Sequence, residues 1–353
     1  MKTQKPKKEF SHKVTLVSFI MSIFVIYIHA NNLAYYGIDA NGNTIANLTV
    51  NILGNFIGEI AVPFFFMMSG YWLFRMDVEK DDIWKCLGSR LRKKTKTLVI
   101  PYLLWNTFGM IFYMTITHIP FISSMMNNGD VISVNFSNIF EGIFLHKYYF
   151  TFWYMQDLIV LTFVSPIFMF LLKKIRRGVF ALIATFLLNL IDIDLVIFGT
   201  SSLWFFFSGA FMAVFLKEKF EKRNNGWIYL GAFIVMGIPR YFETAIIGDI
   251  CYLFSPMILW KAFDALLPKR AIENTPYWFE NQSFFIYAAH VIPVTIIGHL
   301  FAKMGGSVGW ATISYLIAPW ITLGLLFLGA KTLNIIMPGF YNLICGNRGR
   351  NRN

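Results

Sequence analysis

Ten stretches of the chain are apolar on every face, without strand-like alternation or a single helical stripe. They lie at about 14–32, 46–74, 98–119, 151–172, 178–195, 201–216, 227–242, 249–267, 282–302 and 309–337. A helix that is hydrophobic all round belongs in lipid or in a very large core, and about 20 such residues cross a bilayer. The pattern predicts an all-α polytopic membrane protein of about ten transmembrane helices. It is one domain over 1–353, with short basic tails at about 1–13 and 338–353. The fifth to seventh stretches are short for a full crossing, but charged breaks separate each from the next. The N-terminus is basic and then apolar, with no small-residue cleavage site after it, and is expected to remain as the first helix.

Composition agrees. Of 353 residues 56% are hydrophobic and 14% charged, where soluble domains carry about 25% charged residues. The formal charge of +12 would suit nucleic acid, but its distribution does not. Twenty-six of the 31 Lys and Arg fall in six short segments, at 2–13, 75–96, 173–177, 217–223, 269–270 and 348–352. With ten spans all six lie on one side, and the positive-inside rule makes that side, with both termini, cytoplasmic. Cys86, Cys251 and Cys345 are far apart and form no metal-type spacing. There is no P-loop, GxSxG elbow or HExxH, which excludes ATP-driven transport and metalloprotease chemistry from the leading readings.

Ionisable groups inside a membrane are costly and mark functional candidates. His29 closes the first run, in Val25-Ile26-Tyr27-Ile28-His29-Ala30-Asn31-Asn32. It sits about 22 Å along the helix from Val14, at ~1.5 Å per residue. In that outer part of the membrane an imidazole can take a proton from a hydroxyl nucleophile; an interfacial histidine bonded to a neighbouring helix is the plainer reading. Asp157, in Phe152-Trp153-Tyr154-Met155-Gln156-Asp157, is expected at similar depth and can orient such an imidazole, or simply face water. Ser69 and Tyr71, near the inner end of the second run, allow close helix packing or line a ligand route. Arg75, Arg90, Arg92, Lys93 and Lys96 form a cytoplasmic patch suited to anionic lipid or to the phosphates of a charged cofactor. His290 and Tyr287 share a helix face mid-membrane, as a polar passage or as a buried hydrogen-bonded pair. Arg240 and Glu243 lie at the outer end of the seventh run as acceptor contacts or as an exposed ion pair. Asn32 and Trp153 are further candidate acceptor contacts.

In order along the chain these motifs resemble acyltransferase family 3, integral membrane acyltransferases of cell-surface sugars. The first helix ends in His29. Phe64-Phe65-Phe66-Met67-Met68-Ser69-Gly70-Tyr71 follows, then a basic segment running into Ile100-Pro101-Tyr102-Leu103-Leu104-Trp105. Phe152-Trp153-Tyr154-Met155 and Ser283-Phe284-Phe285-Ile286-Tyr287-Ala288-Ala289-His290 complete the series. The resemblance implies a catalytic His29, as general base or transient acyl carrier, and acetyl-CoA as donor from the cytoplasm. The expected acceptor is a hydroxyl of a surface polysaccharide or lipid-linked sugar, and the expected location is the cytoplasmic membrane. The family's two donor-binding arginines three apart are not reproduced: Arg90 is followed at that spacing by Lys93, and Lys93 by Lys96. Lysine offers a point charge without the bidentate fork of arginine. Asp157 is not carried over from the family. The expected partners are the bilayer, acyl-CoA and the glycan acceptor, with homo-oligomers allowed and no nucleic acid or metal. A transporter for a small solute such as serine is the competing reading, and a scaffold in polysaccharide assembly a third.

Overall fold

Every regular element among the described residues is helical, and each of the ten apolar stretches carries a helix. The computed structural model describes residues 8–76, 82–119, 132–191, 198–242, 245–275 and 279–346, the side chains at 240, 241, 245 and 279–281 excepted. In chain order the elements are α1 (Lys8–His29), the long run α2 (Ile45–Phe74) and the long run α3 (Ile83–Ile116). The short α4 (Phe136–Phe144) and then α5 (Trp153–Leu172) follow. Next come α6 (Ile175–Leu190), α7 (Thr200–Phe215), α8 (Lys217–Glu221), α9 (Trp227–Tyr241) and α10 (Ala245–Leu266). The chain continues through α11 (Lys269–Glu273), α12 (Phe279–Ala289) and α13 (Val291–Met304), and closes with α14 (Val308–Ile336) and α15 (Pro338–Ile344). Among the described residues six helices are long and apolar enough to cross a membrane, and seven if the bent pair α12–α13 counts as one.

The exterior is apolar where that of a soluble protein is polar, and some polar side chains are buried within the hydrophobic core. Phe180, Ile228 and Leu328 point outward, 75%, 75% and 65% exposed, whereas Ser165, His290, Ser314 and Thr322 are fully buried. Lipid solvates the apolar exterior, and polar groups gain only by turning inward. Small residues let backbones approach closely. Gly70 of α2 faces the Phe206 carbonyl of α7, and Gly209 of α7 faces the Met67 carbonyl of α2, so neither position has room for a Cβ.

Both expected tails are partly built into the fold. Lys8 to Lys13 form the first turns of α1, with Lys13 buried. Pro338–Ile344 makes α15, whose Ile344 carbonyl accepts from the Trp105 indole of α3 at 3.1 Å.

The break between α12 and α13 turns the chain by 57°. Pro293 explains it, because proline supplies no N–H to the carbonyl four residues back and its ring clashes with that carbonyl. The affected residue is Ala289, which places His290 at the corner.

Candidate active site

His29 is the last residue of α1 and is half-buried. Its imidazole lies between two rings, Phe150 at 5.5 Å and His290 at 5.0 Å between centroids. The two histidines are 261 positions apart in the chain, and the corner at Pro293 brings the second to the first.

His290 is held in one tautomer. Its Nδ1 donates to the Tyr287 carbonyl at 2.8 Å and the Ile286 carbonyl at 3.1 Å. Carbonyl oxygens only accept, so the proton of the neutral ring sits on Nδ1 and Nε2 keeps its lone pair. That Nε2 is buried without a hydrogen-bond partner, and buried polar atoms are otherwise nearly always paired.

The chain ahead of α5 is fastened over this corner. The Tyr149 hydroxyl donates to the Ala288 carbonyl, and the Tyr287 hydroxyl to the Thr151 carbonyl, both at 2.7 Å. The turn Phe150–Phe152 between these bonds sets Phe150 on His29.

A cavity of about 320 Å³ lies against the N-terminal half of α1, with Ser11, Ser18, Ser69, Trp72, Lys94 and Leu98 among its walls. Tyr154 and Tyr287 also line it, and the Tyr287 ring lies 6.5 Å from that of His290, which like His29 is not part of the lining. The Tyr154 and Tyr287 rings meet edge-on, 5.3 Å between centroids. Tyr287 is three residues before His290, about 4.5 Å along a helix axis at ~1.5 Å per residue.

A second cavity, about 750 Å³, lies on the other side of α1 and is lined by Glu9, Lys13, Arg75, Glu221, Arg223 and Asp264 among others. Its charges are largely matched in pairs. Lys13 contacts Asp264 at 2.7 Å, Arg75 contacts Glu221 at 2.6 Å, and Arg223 approaches Glu9 at 3.8 Å. Burial alone raises the Glu221 carboxyl, but hydrogen bonds from Arg75 and Tyr71 and the charges of Arg75 and Lys217 outweigh it. The group stays below the ordinary glutamate value.

A cavity of mixed polar and apolar lining, a histidine with an open lone pair and a second histidine against it make an arrangement suited to proton transfer. The family model described as an acyltransferase domain matches residues 14–337, nearly the whole chain. The chain belongs to acyltransferase family 3. No curated protein and no solved structure matches it. Membership makes it a multi-pass membrane acyltransferase.

The acyltransferase fold gathers some of the residues singled out in the sequence and separates others. His29, His290 and Tyr287 come together, and Ser69 lines the first cavity while its neighbour Gly70 makes the close helix contact. The expected pairing of His29 with Asp157 is corrected. Asp157 accepts the Gly199 N–H at 3.1 Å, at the start of α7, and makes no hydrogen bond to His29. A carboxylate is favoured there because the first N–H groups of a helix have no partner within it.

In the acyltransferase Arg90 is turned away from the first cavity. It donates to the carbonyls of Trp72, Leu73 and Arg75, at 2.8 to 3.0 Å, where α2 ends. Tyr71 and Arg75 meet at Glu221, beside the second cavity. Arg92, Lys93 and Lys96 are exposed. Asn32 ties the end of α1 to α14 through the Ala311 carbonyl and the Ser314 hydroxyl, and Trp153 is 43% exposed. Glu243 and the side chain of Arg240 lie outside the described residues.

Sequence reasoning missed Lys94, the basic residue that enters the wall of the first cavity, although it stands in the same basic run. It also missed a cluster at the first turn of α5, where Gln156 Oε1 accepts from Tyr102 at 3.0 Å and from His146 at 2.8 Å. His146 has φ of 47°, unusual outside glycine, a conformation its sequence does not announce.

Proposed function

We propose that this acyltransferase moves an acetyl group from acetyl-CoA to a hydroxyl of a surface polysaccharide or a lipid-linked sugar. It works in the cytoplasmic membrane, with about ten spans and both termini in the cytoplasm. The clustering of Lys and Arg in six alternate segments supports that orientation. The observation that carries the mechanism is the contact of His29 with His290, one ring away from Tyr287 of the cavity wall.

On this reading the donor enters from the cytoplasmic side. Lys94 meets a phosphate at the mouth, helped by the exposed Arg92, Lys93 and Lys96. The thioester arm runs past Ser69 and Ser18 to the Tyr154–Tyr287 pair. The acceptor comes from the opposite face, near Phe150 and Trp153, both exposed.

His29 accepts the proton of the acceptor hydroxyl as that oxygen attacks the thioester carbonyl carbon. A C–O bond forms, the C–S bond breaks, and the departing thiolate takes the proton back from His29. The lone pair on His290 Nε2 favours the protonated His29 in between. If the acyl group rests briefly on His29, the imidazole nitrogen bonds the acyl carbon as the C–S bond breaks and the thiolate leaves with the ring's proton; the acceptor oxygen then displaces the imidazole, which takes up the hydroxyl proton.

Purified protein given radiolabelled acetyl-CoA and candidate glycans should yield labelled glycan, and His29→Ala should abolish it while donor binding persists. Full transfer by His29→Ala overturns the catalytic assignment. Serine uptake into vesicles with no labelled acceptor would favour a transporter.

A further inference from the structure

A third cavity, about 420 Å³, opens near the end of α14 between that helix, α12 and α15, away from both cavities described above. Gln282, Phe327, Lys331, Asn334, Tyr341 and Asn342 line it. Lys331 is exposed and is the one charged residue among the lining residues. It stands five residues before the end of α14, roughly 7.5 Å at ~1.5 Å per residue. That is interfacial depth, where a lysine can reach the headgroups.

Two further observations point to a ligand. The Gln282 Oε1 is shut off from solvent with no hydrogen-bond partner, and the Tyr341 hydroxyl, on a side chain only 3% exposed, has only the weak Cys345 thiol beside it and no nitrogen or oxygen partner. The surface beside the cavity is strongly apolar: Leu328, Ile335 and Ile336 are each 65–70% exposed. A polar recess with one positive charge, bordered by lipid-facing side chains, has the two-part character of an amphiphile.

We propose that this recess binds the headgroup of a singly charged phosphodiester lipid whose headgroup carries hydroxyls, of the phosphatidylglycerol type. The phosphate oxygens take hydrogen bonds from Lys331, the Tyr341 hydroxyl and the amides of Asn334 and Asn342. A headgroup hydroxyl donates to the Gln282 Oε1, an acceptor that phosphate alone cannot satisfy. The acyl chains lie along Leu328 and Ile335. A zwitterionic choline lipid fits less well, because its quaternary ammonium cannot donate and adds a second positive charge beside Lys331. Lipid bound here joins α14 to α15.

Native mass spectrometry of the full chain in detergent tests this, with phosphatidylglycerol and phosphatidylcholine supplied in equal amounts. Wild type should retain phosphatidylglycerol in preference. Lys331→Ala should lower that retention about fivefold, the effect of one basic residue at an anionic surface, and Lys331→Arg should restore it. Asn342→Leu, which keeps the charge, should weaken binding as well. Soluble glycerol phosphate should not displace the lipid; displacement would mean that the recess takes a free phosphate and would overturn the lipid assignment. Equal retention of both lipids, or retention unchanged in both Lys331→Ala and Asn342→Leu, overturns the proposal.

Discussion

The imidazoles of His29 and His290 lie 5.0 Å apart, tilted by 44°, and the second presents a buried lone pair fixed by two carbonyls on its other nitrogen. The His290 ring is locked in one tautomer by those bonds, and His29 is the proposed base. The two histidines should therefore respond differently to substitution. His29→Ala removes the proposed base and should lower kcat by at least ~100-fold. His290→Gln keeps a polar side chain but loses the open imidazole nitrogen, and should lower kcat about tenfold while moving the pH–rate profile. Initial rates across pH with a verified acceptor check both, and an unaltered profile in His290→Gln would remove His290 from the proton path.

Lys94 and Arg90 are four positions apart in one basic run but face different surroundings. Lys94→Ala should raise the donor KM about tenfold, through loss of a charge-assisted contact of ~1.5 kcal/mol, with little change in stability. Arg90→Ala uncaps the end of α2 and should instead lower stability by about 1–3 kcal/mol. Donor titrations paired with thermal unfolding in detergent separate the two effects, and a reversed pattern would refute the assignment.

Lys13 and Asp264 fasten α1 to α10. The ammonium bonds to Asp264 Oδ1 and to the Trp260 carbonyl at 2.7 Å each, and lies 3.7 Å from the centre of the Trp260 ring. Asp264→Asn strands a buried charge and should cost about 3–5 kcal/mol, whereas the double change Lys13→Met, Asp264→Leu should recover most of it. Chemical unfolding of the three proteins reads this out; a double mutant no more stable than Asp264→Asn would show that the stranded charge is not what costs stability.

Glu221 makes a pH-dependent contribution. Its carboxyl is depressed in the folded chain, so the unfolded chain binds its proton more readily. The stability it adds is fully present above the unfolded value of about 4.3 and is lost as pH falls through the lower folded value. Wild type should be more stable than Glu221→Gln at pH 7, and the difference should shrink progressively below about pH 4. Parallel melts over that range test it, and a gap that widens on acidification would be inconsistent with the depressed carboxyl.

The helices, their apolar exteriors and His29 were legible in the sequence because each depends on a local property. An all-round apolar run commits itself to helix wherever lipid replaces water, since every N–H and C=O must bond within the segment. A histidine closing such a run is conspicuous because it is expensive there. Even the corner at His290 had a local sign in Pro293, whose missing N–H interrupts the ladder.

The tertiary structure decided which polar groups meet. Depth along a helix placed Asp157 near His29, but helix rotation gave it to the N–H of Gly199, and His290 took the position beside His29 instead. Rotation likewise separated Arg90, spent on the end of α2, from Lys94 in the cavity wall. The sequence by itself determined how much of this chain lies in lipid and which residues are costly there, because transfer energies act residue by residue. Partners such as His29 and His290 are distant in the chain, and only the packing and bending of whole helices decide which side chains share a cavity.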